Sequence, residues 1–367
     1  KQGELWNDGV RLGKLLGKSD TDPDVSGQRQ QGSYYGGKWG TFLRAPDIWF
    51  DLVDKAGDRL APLGEIAEVR FGVKSGKDAF FFPIDASEQA LSDYPDAGAF
   101  KDQFGVARKQ VEDGGVKIVW CGEDRGELRP IEAEHLEPEV HSLMGISAYE
   151  VLPEHCQRLV FVSGKRTGKL PHCARAYVKW GEGQKWHRNP TCASRQSEDR
   201  DWHDLTANRR ADIILPKIQQ YRLLVFANPH KLYQASALLG LYDVAADDVD
   251  FLAGLLNSTV AILSNLLHSR GLGNEANIQL DVYLAQLMLV PDPRTATAAA
   301  RKRVARAFAA MKQRKALGFV SERRLRRVKY QAAGRAGELE QLSDETELDQ
   351  RDRWALDDAV LQMMGIR

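Results

Sequence analysis

Residues 63–82, LGEIAEVRFGVKSGKDAFFF, restrict the fold of this chain more than any other stretch. Apolar side chains alternate at Ile66, Val69 and Phe71, the period of a strand with one buried face. Gly72 breaks that pattern, and a polar loop, Lys74-Ser75-Gly76-Lys77-Asp78, leads into Phe80-Phe81-Phe82. The order predicts a hairpin made of a strand, a Gly-containing basic loop and an aromatic strand. Two readings fit it. Lysines and backbone N–H groups on such a loop can reach phosphates, which suits a nucleic-acid surface. Short apolar runs flanked by Gly also build ordinary surface hairpins over an aromatic core.

Bulk composition bounds these readings. With 367 residues, 43% of them hydrophobic, the chain can bury a sizeable core and form two domains. Lys+Arg 51 cancel Asp+Glu 51, so no global basic field exists and nucleic-acid binding has to come from local clustering. Cys121, Cys156, Cys173 and Cys192 form no CxxC pair, and the sequence has neither a signal peptide nor an apolar run of about 18 residues. The expectation is a cytoplasmic protein with reduced thiols and no membrane partner. Lys1 stands where a start Met belongs, so the sequence reads as a piece of a longer protein.

Along the chain, sheet and helix patterns alternate. Residues 1–45 are rich in Gly, Ser, Asp and Gln and read as a linker or arm. Residues 47–53, after Pro46, fit a short amphipathic helix, and residues 85–115 a helical excursion. Strands are expected over 116–120, 159–162, 213–216 and 223–226. From Asp250 onward Leu252, Leu255, Leu256, Val260, Leu263, Leu266 and Leu267 recur at the spacing of a core helix, which the Gly-rich SRGLGNEAN segment then interrupts. That interruption makes a DNA-facing loop candidate; Asn257 reads equally as structural or functional. Beyond Pro293, residues 301–335 carry many cations opposed only by Glu322, with Val304, Phe308 and Met311 as one apolar stripe, and 338–358 are acidic. The basic stretch either lies along a DNA backbone or pairs with the acidic stretch after it.

Chemically, residues 172–205 are the densest. Arg175, Lys179, Lys185, Arg188 and Arg195 interleave with Tyr177, Trp180, Trp186, His187 and Trp202. Cations suit phosphates and base edges, and aromatic faces can stack or wedge, while Trp anchors in the core give the same composition. Cys156, His172, Cys173, His187, Cys192 and His203 are zinc-ligand types, but their spacing lacks the knuckles of a structural site, so no metal is expected.

Several of these segments, in order, resemble one family. Residues 63–82 are similar to the segment opening the target-recognition region of N6-adenine DNA methyltransferases, Leu-Gly-x-x-x-x-Val-x-x-Gly-x-x-[Thr/Ser]-Gly-x-x-x-Phe-Phe. The same family is resembled by Trp39 with Leu43-Arg44-Ala45-Pro46, by Ile131-Glu132 with Leu136 and Pro138, and by Arg195 with Trp202. The resemblance continues through Ile213 and Pro216, Asn228, Leu255-Leu256-Asn257-Ser258, Arg270-Gly271-Leu272-Gly273, Leu289-Val290-Pro291 and the closing 353–361.

The resemblance implies an α+β fold: a mixed β-sheet target-recognition domain with helical insertions over 38–295, preceded by an arm over 1–37 and followed by a helical region over 296–367. It also implies a division of labour, since two catalytic motifs of the family are missing: the Gly-rich loop for S-adenosylmethionine and the [Asn/Asp/Ser]-Pro-Pro-aromatic turn. Asn189-Pro190-Thr191-Cys192 and Asn228-Pro229-His230-Lys231 have only the first two residues of that turn. The chain is therefore expected to read double-stranded DNA for a catalytic domain outside this sequence. That domain would hold the cofactor, in a restriction–modification or phage-defence system that can also involve a nuclease. A stand-alone DNA-binding specificity subunit is the alternative. Candidate DNA contacts are Arg70, Lys74, Ser75, Lys77, Lys185, Arg188, Arg195, Arg270 and Asn274, with no catalytic or metal residues.

Overall fold

Proline has no N–H to give a preceding turn, and the first helix, α1 (Asp47–Ala56), starts directly after Pro46 and buries Trp49, Val53 and Ala56 on one face. The computed structural model describes residues 45–272 and 277–366. The expected arm over 1–37, the 39–44 entry segment and Asn274 lie outside the described residues. After α1 come β1 (Leu60–Pro62), α2 (Leu63–Ile66), β2 (Glu68–Phe71) and α3 (Asp78–Phe81). Next are β3 (Ile84–Asp85), three helices, α4 (Ser87–Asp93), α5 (Ala97–Phe104) and α6 (Arg108–Glu112), and four strands, β4 (Val116–Cys121), β5 (Glu127–Glu132), β6 (Leu136–Val140) and β7 (Arg158–Phe161). The chain continues through α7 (His172–Gly183), α8 (Pro190–Ala193), β8 (Ile213–Pro216), β9 (Ile218–Gln219), β10 (Phe226–Ala227), β11 (Tyr233–Gln234) and β12 (Leu238–Tyr242). It ends with α9 (Val249–Asn257), α10 (Thr259–His268), β13 (Arg270–Gly271), β14 (Ile278–Gln279), α11 (Val282–Leu287), β15 (Leu289–Pro291), α12 (Ala298–Met311), α13 (Glu322–Ala332) and α14 (Arg351–Met363).

The fold is α+β, with several small sheets that mix antiparallel pairs with one parallel pair, β11 on β6. The central sheet runs β10-β8-β12-β2, with Leu239 opposite both Phe71 and Leu215. Its apolar side packs with Trp49, Leu252, Leu255, Val304, Phe308, Leu356 and Val360 in one core. Packing is thus continuous across residue 296, because α12 and α14 bury the Val304, Phe308 and Met311 stripe against the same core as the sheet. A second core is aromatic, built from Phe80, Phe81, Phe82, Phe161, Tyr177 and Trp202. A third, around Phe100, Phe104 and Ile118, sits under the helical excursion.

The expected hairpin does not form. Ile66 belongs to a helical turn, β2 pairs with β12, and the aromatic run begins in α3. Alternation in a strand would leave one of three consecutive aromatics facing away, whereas Phe80, Phe81 and Phe82 are all at most 1% exposed. Ser75 starts the turn: its hydroxyl is donated to Asp78 and accepts the Lys77 N–H at 3.1 Å.

Two further expectations are corrected. The helix after Asp250 is two helices bent by 67°, because Ser258 leaves helical geometry and caps α10 by accepting from the Ala261 N–H. Over 223–226 only Phe226 enters a ladder. Val225 instead bonds the Asn257 amide, N–H to Oδ1 at 3.1 Å and Nδ2 to carbonyl at 2.8 Å, so a side chain takes the place of a neighbouring strand. Among the described residues no single helix is long and apolar enough to cross a membrane.

Candidate nucleic-acid interface

The Lys74–Asp78 loop is held by a segment more than a hundred residues away. Arg195 donates to the carbonyls of Lys74 at 2.6 Å, of Ser75, and of Trp202 at 3.1 Å, while its guanidinium lies 5.0 Å from the Phe81 ring. Burial pulls its pKa below the usual guanidinium value. Gly76, at φ +80°, faces the same segment: a Cβ there would stand 2.9 Å from Thr191 Cβ and 3.0 Å from Cys192 Sγ. Arg195 therefore sits behind the surface as a clamp. Ser75, 3% exposed, is behind it too.

That clamp sets the loop beside the Trp186–Arg188 turn. Lys77 pairs with Glu123 and lies 5.5 Å from the Trp186 ring. Lys185, in the left-handed conformation at φ 63°, and Arg188 are exposed, and neither side chain has a hydrogen-bond or ion-pair partner among the described residues.

On the other side of the loop, Lys74 Nζ is 5.2 Å and Lys217 Nζ 5.1 Å from the centroid of the half-buried Phe71 ring. Neither lysine has a carboxylate partner among the described residues. Two ammonium groups at one ring with no counter-ion attract an anion. Lys217 follows directly from β8 into β9, and β9 pairs with β14, which pairs with β13, where Arg270 lies. Arg270 is exposed and reaches Asp281 at 3.1 Å.

The structure thus sets Lys185 and Arg188 on the turn beside Lys77, and Lys74 with Lys217 at one ring, from which the chain enters the small sheet that carries Arg270. It does not bring in Arg70. Successive strand residues face opposite sides, so Arg70 points away from Phe71 and into the ladder Glu68–Arg209–Asp243. Sequence reasoning missed Phe71 and Lys217. The available signal was a lone Lys directly after the buried Ile213-Ile214-Leu215-Pro216 run, with exposed Ile218 behind it.

The aromatic content of 172–205 is largely consumed internally. Tyr177 stacks on Phe80 at 4.6 Å and donates its hydroxyl to the Phe80 carbonyl at 2.6 Å, and Trp202 lies 4.8 Å from Phe80. Trp180 packs on Trp186 at 4.8 Å, with the Arg129 guanidinium 4.2 Å from the Trp180 ring.

Both Asn-Pro pairs are spent in the fold. Asn189 Oδ1 accepts the Thr191 N–H at 3.0 Å to cap α8, and Asn228 donates to the Ala211 and Leu232 carbonyls at 2.9 and 3.0 Å. The four cysteines are free thiols. Burial pushes Cys121 and Cys173 up to about 12 and Cys156 to about 11, so all three stay protonated near neutral pH. Among the described residues no three His, Cys, Asp or Glu side chains gather to hold a metal.

No family model matches the sequence, and no curated protein is similar to it. Among solved structures, the chain is similar to the type IIG restriction endonuclease BpuSI, at 8% identity and a TM-score of 0.45, covering 86% of this chain and 33% of that one. It is also similar to the Type IIL restriction-modification enzyme MmeI in complex with DNA, at 14% identity and a TM-score of 0.43, covering 82% of this chain and 33% of that one. The chain therefore spans 33% of the length of each of these two enzymes.

Proposed function

We propose that this chain is the double-stranded-DNA-reading portion of a larger site-specific adenine-N6 DNA methyltransferase of a restriction–modification system. The observation that carries the reading is the pair Lys74 and Lys217 at the Phe71 ring, two ammoniums with no carboxylate partner among the described residues, each able to meet a backbone phosphate. Exposed Lys185 and Arg188 extend the cationic track, so local clustering supplies the field that the zero net charge denies to the whole chain.

S-adenosylmethionine and methyl transfer belong, on this reading, to a catalytic domain outside this sequence. The residues here do not fit that role, since the Asn189 and Asn228 amides are committed to a helix cap and a buried turn. Those same committed amides favour a second reading, a specificity subunit that never carries the chemistry itself. The gene sequence upstream of Lys1 separates the two: an Asn-Pro-Pro-aromatic turn after a Gly-rich strand–loop supports the first, and a start codon there supports the second.

Binding is tested with fluorescence anisotropy on labelled duplexes over a salt series. Lys74→Ala and Lys217→Ala should each weaken binding to every duplex and reduce the slope of log K against log[salt] by about 1. Absence of duplex binding by the wild type at low salt refutes the DNA-reading function.

A further inference from the structure

The small sheet β9-β14-β13 presents two rows of side chains. In one, Gln219 stands opposite Ile278, which stands opposite Gly271. This row faces inward: Gln219 is 4% exposed and exchanges hydrogen bonds with Asn265 of α10, Asn265 Nδ2 to Gln219 Oε1 at 3.1 Å. The other row is Ile218, Gln279 and Arg270, one residue from each strand, directly opposite one another. Since opposite residues in a ladder share a face, this row points outward. Ile218 is 57% exposed and the Arg270 side chain 55%.

Asp281 ties the two polar members together. Its Oδ1 accepts from Gln279 Nε2 at 2.7 Å and its Oδ2 from Arg270 at 3.1 Å. The carboxylate, itself mostly buried, holds an amide and a guanidinium side by side and leaves Gln279 Oε1 and the remaining Arg270 donors without a partner among the described residues.

We infer that Arg270, Gln279 and Ile218 read base edges in the major groove, with Asp281 as their positioning residue. The inference rests on the DNA-reading function proposed above and names the specificity determinants of that surface. A β-ribbon fits the major groove. Arg pairs there with O6 and N7 of guanine, Gln with N6 and N7 of adenine, and an aliphatic side chain packs on the thymine methyl. Strands lie about 4.8 Å apart and bases rise about 3.4 Å per step, so neighbouring strands address bases one to two steps apart. The recognition sequence should hold a guanine and an adenine at that spacing. Lys217, one residue before Ile218 and on the other face of the strand, stays at the Phe71 ring, where it meets phosphate without reading sequence.

The test is selection from a duplex pool with a randomised centre, using the full-length protein, followed by sequencing. The wild type should enrich one motif. Arg270→Lys keeps the positive charge but loses the two-pronged contact: it should lose the guanine preference at one position, with discrimination there falling by about 5- to 150-fold, and keep its affinity for unrelated duplexes. Gln279→Ala should relax an adjacent or next-adjacent position, Asp281→Ala both, and Lys217→Ala neither. Variants with wild-type melting temperatures are compared. An unchanged motif from Arg270→Lys and Gln279→Ala overturns the inference while leaving the DNA-reading function standing, and an unchanged motif from Asp281→Ala removes its positioning role. A wild type that binds no duplex fails the DNA-reading function itself.

Discussion

Arg353 and Glu347 are both 0% exposed, and the helical C-terminal region is anchored through them. Arg353 Nε and Nη2 lie 3.3 Å from Glu347 Oε2, Nη1 donates to the Asn257 carbonyl at the α9–α10 bend, and the guanidinium stands 5.1 Å from the Phe319 ring. Glu347 also takes two bonds from Arg314, at 2.8 and 3.0 Å, and the Leu317 N–H at 2.7 Å. Glu347→Ala leaves Arg353 charged and buried, since a guanidinium does not give up its proton, whereas Arg314 keeps Asp352 at 2.7 and 2.8 Å.

Removing one partner of a buried pair costs about 3–5 kcal/mol. The Asn257 carbonyl and the Phe319 ring remain, so the lower end, about 3 kcal/mol, is expected. Replacing both groups with apolar side chains, as in Glu347→Leu with Arg353→Met, should recover most of that loss, because neither desolvated charge then remains. Urea unfolding followed by circular dichroism reads both: the midpoint falls for the single variant by the lost free energy divided by the m-value, and returns for the double. A single variant within about 1 kcal/mol of the wild type, or a double variant no better than the single, would show that the pair does not carry this anchoring. Burial, the largest single influence, would raise the Glu347 carboxyl, but the Arg314 hydrogen bonds, the Leu317 N–H and the Arg353 charge together outweigh it and hold the carboxyl below its usual value. Its contribution is therefore present above the ordinary carboxylate range and is lost as pH falls through the depressed value.

Other outcomes follow from single contacts. Glu139 is fully buried, and among the described residues neither of its oxygens has a hydrogen-bond partner; burial raises its pKa despite His141 and Arg158 nearby. The wild type should lose stability as pH rises through that raised value, and Glu139→Gln should flatten the curve of melting temperature against pH; parallel curves for the two proteins refute this. Arg195→Ala should destabilise by about 1–3 kcal/mol, because the Lys74, Ser75 and Trp202 carbonyls lose their donor. A large loss of duplex binding with an unchanged denaturation midpoint would instead put its guanidinium on the DNA. Gly76→Ala should cost about 1–3 kcal/mol in the same assay, since only Gly adopts that backbone conformation without strain.

What the amino-acid order determined by itself is local. Pro46 and the amphipathic residues after it dictate α1, the apolar runs dictate β4, β7 and β8, and the Val304, Phe308 and Met311 stripe dictates the buried face of α12. These were legible because each depends on periodicity within about a turn or two. The basic stretch was legible only in part: Arg314 and Arg323 do pair with the acidic stretch after them, at Glu347, Asp352 and Asp344, but Arg301 and Lys312 find Asp248, Asp250 and Glu150 elsewhere.

Tertiary structure decided everything that depends on which distant segment arrives as neighbour. Phe80, Phe81 and Phe82 have the composition of a strand but form a helical turn and its exit, because Phe161, Tyr177 and Trp202 surround them on all sides and no face is left for solvent. Arg195 has the chemistry of a DNA contact, yet three carbonyls reach it first. Lys217 carried no motif, and only the sheet order β8-β12-β2 brings its ammonium to the ring that Lys74 also reaches. Periodicity encodes which side of an element is buried; the partner that satisfies a charge or a carbonyl is set by contacts across a hundred residues, which no local pattern records.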